Sequence, residues 1–161
     1  MKKPKRIKVT PPKVILKKAE KRVYALLSKL IRAMTRIKYG GMCPLCKRGP
    51  LVPMNDRKTG TVLQVPAIQC AFHFCRSKIC KATRLELHNV IGSCFKCNWQ
   101  EYREPDPSRA WFIKEYGAEA YLKLVEESQL EFEFTIEYLT RLEVKYTKML
   151  EEFAVAPDSK V

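Results

Sequence analysis

Apolar residues recur three and four positions apart at Leu16, Ala19, Val23, Leu27, Leu30, Met34 and Ile37. That period predicts a helix over 14–39 with one buried face. Lys17, Lys21, Arg22, Lys29, Arg32 and Arg36 lie around the rest of its circumference, and "YGG" supplies glycine to end it. "MNDRKTGTVLQVPAIQC" predicts a loop and hairpin, with "KTG" as the turn and "TVLQV" as a strand; "AFHFC" predicts a second short strand. "ELHNVIGSCFKCNW" reads as a loop running into a helix that Pro105 and Pro107 interrupt. "SRAWFIKEYGAEAYLKLVEESQ" is helical in period with a break at Gly117. "TIEYLTRLEVKYTKMLEEFA" places Ile136, Leu139, Leu142, Tyr146 and Leu150 on one helical face.

The segments this predicts are a disordered basic leader (1–13), a basic amphipathic helix (14–39), a central ββα unit (40–104), a C-terminal helical region (105–155) and a flexible tail (156–161). The expected fold class is α+β: a small ββα core flanked by a long basic N-terminal helix and C-terminal helices.

Charge sharpens the picture. The net charge of +14 is unevenly placed, because residues 1–38 hold fourteen Lys/Arg against one acid, Glu20. Residues 39–104 hold ten against four, whereas the chain from 105 onward holds seven against twelve. A one-sided basic stripe is the footprint of a nucleic-acid binder. No run of about 18 apolar residues predicts a membrane helix, and the basic N-terminus lacks the apolar stretch of a secretory signal. A reducing cytoplasm is the expected location.

Seven cysteines, an odd number with four of them in two C-x-x-C pairs, favour metal ligation over disulfides. Cys43 and Cys46 form one pair, Cys94 and Cys97 the other. Two such pairs complete a tetrahedral four-sulfur zinc site, closed and therefore structural. It would tie off a loop of about fifty residues. Cys70, Cys75 and Cys80 are left over. They read as reduced, buried or half-buried thiols, or together with His73 as a second zinc site.

Between the pairs runs the order His73, Asn89, then Asn98 directly after the second C-x-x-C. In this order the chain resembles an HNH (ββα-metal) nuclease, with Asn98 in place of the last histidine. More closely, it is similar to the phage recombination proteins called NinG or Rap. "CPLC", "HF" at 73–74, "TRLELHNV" at 83–90, "CFKCN" at 94–98 and "FIKEYGAEAYLKL" at 112–124 carry the likeness. So do "KRVYALLSKLIRAMTR" and "TIEYLTRLEVKYTKMLEEF", extending it over roughly residues 16–153. The resemblance implies a metal-dependent endonuclease, phage-encoded, that acts on branched DNA in the host cytoplasm. His73 would be the general base, Asn89 would orient its imidazole, and Asn98 would face the same phosphate. Zn²⁺ would fix the geometry and Mg²⁺ or Mn²⁺ would serve the chemistry. Arg84 matches an arginine of the family and is expected on backbone phosphate. Arg76, Lys78 and Lys81 are expected to join it, together with Lys21, Arg22, Lys29, Arg32 and Arg36 of the helix. His88 is expected to be a surface histidine. The active form is compatible with a homodimer.

The chain departs from the HNH pattern at Phe72, where such sites usually place an acid or a histidine. Glu101 or Glu104 could supply a carboxylate instead. A hairpin around residues 50–65 lengthens the interval from Cys46 to His73. Two other functions compete with cleavage: a non-catalytic zinc protein binding DNA or RNA on the same scaffold, and an adaptor working through the acidic helices from 110 to 153.

Overall fold

The computed structural model describes residues 12–56, 58–76, 80–100 and 106–155. It is α+β, with five α-helices and two separate two-stranded antiparallel sheets. The predicted leader and tail therefore fall almost wholly outside the described residues, as do Lys78, Glu101 and Glu104.

Helix α1 (Pro12–Lys38) opens on a proline, whose missing N–H costs nothing in a first helical turn. Its buried stripe is Ala19, Val23, Leu27, Leu30, Ile31 and Thr35. This stripe packs against Leu139, Leu142 and Tyr146 of α5 (Ile136–Val155) to form the main core. Fully burying one such leucine contributes about 2 kcal/mol, so the α1–α5 seam is the chief apolar source of stability. The predicted faces are off at two ends. Ile37 is 64% exposed and Ile136 is 45% exposed.

Strands β1 (Leu51–Asn55) and β2 (Val62–Pro66) form a hairpin that pairs with no other strand among the described residues. Strands β3 (Cys70–His73) and β4 (Val90–Ser93) form the second sheet, with His73 opposite Val90 and Phe72 opposite Ile91. A long connection between them ends in a 3₁₀ turn at Leu87–Asn89. Helix α1 crosses this sheet closely at Gly92. A Cβ there would lie 2.8 Å from the Thr35 Cβ, and the Gly92 N–H donates to the Thr35 hydroxyl at 2.9 Å. That contact explains why Thr35, and not Ile37, occupies the buried stripe.

Helix α2 (Phe95–Gln100) follows β4 and lies against β3. Helices α3 (Asp106–Tyr116) and α4 (Ala118–Ser128) are separated at Gly117, whose φ of 92° lies in the left-handed region. Phe112 and Leu124 of this pair bury Cys75 in a second, smaller core.

Candidate metal centre and the surroundings of His73

Four sulfurs from two distant turns meet at one point. The Sγ atoms of Cys43, Cys46, Cys94 and Cys97 all lie within 4.8 Å of one another, with Cys46 and Cys94 at 3.7 Å. Ligands about 2.3 Å from a tetrahedral ion stand roughly 3.8 Å apart, so the cluster could hold a metal ion. Backbone amides already point at the sulfurs: Cys94 N–H donates to Cys43 Sγ at 3.3 Å, and Cys97 N–H to Cys94 Sγ at 3.4 Å. Hydrogen bonding to the Cys97 thiol and to backbone amides holds Cys43 far below the usual thiol range, at about 4. The same bond to Cys43, with burial, pushes Cys97 up. The four sulfurs thus favour one thiolate, at Cys43, while burial pushes the Cys94 thiol up as well. Among the described residues the cluster is the one such group of three or more ligating side chains. Cys70, His73, Cys75 and Cys80 do not converge on a second site. Cys75 is buried, and Cys70 and Cys80 are half-buried.

His73 ends β3, half-buried. Its Nε2 lies 3.0 Å from the Arg84 carbonyl oxygen. A carbonyl can only accept, so Nε2 carries the proton and Nδ1 carries the lone pair. The Tyr24 ring of α1 lies parallel to the imidazole, at 5.8 Å between centroids and 3° between planes. Burial, the dominant cause, holds the His73 pKa below its ordinary 6.5, and the nearby Arg84 charge adds to the effect. The imidazole is therefore neutral at pH 7 and fixed in one tautomer.

Asn89 does not perform the orienting role expected of it. It is fully buried, and its carboxamide is taken up elsewhere. Its oxygen accepts from Cys75 N–H at 2.7 Å. Its nitrogen donates to the carbonyls of Cys75 (3.0 Å) and Thr83 (3.2 Å), and to the Thr83 hydroxyl (3.2 Å). Asn89 thus clamps the two ends of the β3–β4 connection. It acts on His73 at one remove, by holding the segment that presents the Arg84 carbonyl. Asn98 sits half-buried on α2, and its carboxamide has no hydrogen-bond partner among the described residues. His88 is exposed, at 2.9 Å from a Glu127 carboxylate oxygen.

The arginines expected on phosphate divide in two. Arg22 is exposed and reaches Glu143 through two hydrogen bonds. Arg32 donates to the Gln69 carbonyl, and Arg36 to the Ile68 carbonyl. These last two fasten α1 to the segment entering β3, a structural task that one-sided charge alone does not reveal. Arg84 Nη1 pairs with Glu20 of α1 at 2.6 Å, while its Nε is buried without a partner among the described residues. Lys21, Lys29, Arg76 and Lys81 are exposed. Glu20, paired with Arg84, and Tyr24, stacked on His73, were not expected at this place. Their spacing of four on one helical face is visible in the sequence, but nothing local links that face to His73.

Phe72, where an acid would stand in an HNH site, is 1% exposed and meets Phe74 edge to face. No known family model, curated protein or solved structure matches the chain.

Proposed function

We propose that this chain is a metal-dependent DNA endonuclease of the NinG/Rap kind, acting on branched recombination intermediates through an HNH-like ββα centre. One observation carries the reading. A neutral imidazole at a strand end has its Nε2 proton committed to a carbonyl, leaving Nδ1 as a fixed base. The order β3, β4, α2, with a four-cysteine cluster bracketing it, supports the same reading.

In this account zinc occupies the cluster, because four convergent sulfurs in two C-x-x-C turns suit that ion. It joins the turn at Cys43 to the start of α2 and so holds α2 against β3. His73 Nδ1 takes the proton of the attacking water. Lys81 and Arg76, exposed on the connection after β3, contact neighbouring phosphates, and Asn98 faces the same strand of DNA. A Mg²⁺ or Mn²⁺ ion would stabilise charge on the scissile phosphate. Such ions often take one or two protein ligands and complete their shell with water and phosphate oxygens.

The buried, apolar Phe72 favours a second reading, in which the scaffold binds DNA without cutting it. Incubating the protein with branched and linear DNA, with Mg²⁺, with Mn²⁺ and with divalent cation withheld, separates the two. Cation-dependent nicks near the branch point are expected. Tight binding without nicks under any cation would make the chain a binding module.

A further inference from the structure

Val52 near the base of the β1–β2 hairpin is buried, but toward the tip no layer covers the hairpin among the described residues, and apolar side chains there face water on both sides. Leu51 is 57% exposed and Val62 61%, while Met54 and Leu63, paired directly across the strands, are 45% and 46% exposed. A lone two-stranded ribbon is marginal in water, so this one depends on what holds its base. Its base is held firmly. Ala67 N–H donates to the Pro50 carbonyl, Cys43 N–H donates to the Arg48 carbonyl, and Arg36 grips Ile68 just past β2. The ribbon therefore leaves the four-cysteine turn and feeds straight into the strand that bears His73. Five residues per strand carry its tip about 17 Å outward.

Two observations say what it meets. Pro53 and Pro66 lie within the strands and remove amide donors, which opposes extension of the sheet by another strand. The described part of the ribbon and its root carry Lys47, Arg48 and Lys58 against one acid, Asp56. That carboxylate is occupied within the turn by Lys58 N–H and the Thr59 hydroxyl. A hairpin with cations at its root and turn, and an apolar cross-strand pair between them, suits a polyanion with an apolar interior.

We propose that the hairpin is a DNA wedge: Met54 and Leu63 enter at an unstacked base step of a branch point and rest on the exposed base pair. Apolar side chains inserted between base steps hold the duplex open there. This rests on the DNA reading above and adds to it the element that recognises a branch. It places the opened step at a fixed distance from His73, because the ribbon's base and β3 share the Ala67–Gln69 link.

The test uses the full chain, a junction DNA carrying 2-aminopurine beside the branch, and a linear duplex of the same sequence, with divalent cation withheld. The wild type should brighten the 2-aminopurine and bind the junction about tenfold more tightly than the duplex. The Met54→Ser, Leu63→Ser double variant changes only exposed side chains, so its metal content and Tm should match the wild type. It should lose the brightening and the junction preference while duplex binding stays within about twofold. Retention of both by the variant overturns the wedge. Wild-type binding to both DNAs alike, without brightening, overturns the wedge and leaves the DNA reading intact; binding to neither overturns both. A dimer that the double substitution splits into monomers, seen by sedimentation, makes the hairpin a contact between copies and also overturns the wedge.

Discussion

The four-cysteine cluster and the surroundings of His73 lie on the same small sheet and its flanks, yet they are built in opposite ways. The cluster draws all its donors from two short turns, each with its own local spacing, and the chain supplies the whole set. The surroundings of His73 combine an imidazole from a strand, a carbonyl from a loop and a ring from α1. A self-sufficient site can hold a structure together.

The largest effect should come from the self-sufficient side. Removing one sulfur leaves the shell one protein ligand short, and binding energy at such a site is folding energy. Cys94→Ser should leave the protein insoluble or unfolded, as circular dichroism and metal analysis would register. Stable, folded wild type containing no zinc would break the comparison at its root.

Asn89→Ala tests the buried clamp behind His73. It strips partners from the buried Cys75 N–H and from the Cys75 and Thr83 carbonyls. Unsatisfied buried groups cost about 1–3 kcal/mol each, so a loss of about 3 kcal/mol in chemical denaturation is expected. A variant as stable as the wild type would show that the clamp holds nothing.

The imidazole itself gives a smaller, pH-dependent signature. Its pKa in the folded state lies below the ordinary 6.5, so the unfolded chain takes up the proton first on acidification. Stability from this group is fully present above about 6.5 and declines as pH falls through the folded value. His73→Gln should flatten that decline below about pH 6.5. An unchanged slope would mean that His73 is not held neutral.

The smallest effect belongs to His88→Ala. Its contact with Glu127 is solvent-exposed, and such pairs contribute about 0–1 kcal/mol. DNA cleavage should be unaltered, which makes it the neighbouring control for His73.

What is legible in the sequence follows the same divide. The C-x-x-C pairs and the long α1 and α5 faces are readable because their signals are local and periodic. The "VIGS" stretch reads as the loop entering a helix. It forms β4, buried along its whole length, so no alternation marks it as a strand. Thr35 displaces Ile37 from the core only because Gly92, 57 residues away, admits a close approach. Arg32, Arg36 and Arg84 carry charge that reads as phosphate contacts. Their fixed partners are the Gln69 and Ile68 carbonyls and Glu20, all distant in sequence. Long-range partners decide what a charged side chain does, and spacing along the chain does not record them.

The most direct measurement is nicking of branched DNA by purified His73→Ala beside the wild type, in Mg²⁺ and in Mn²⁺, with zinc content and DNA binding measured on the same samples. Loss of a general base lowers rate by about 10²–10⁴-fold, so the account predicts barely visible nicking with zinc and binding retained. Full activity in His73→Ala, or a wild type that binds branched DNA and never nicks it with either cation, would contradict the catalytic claim.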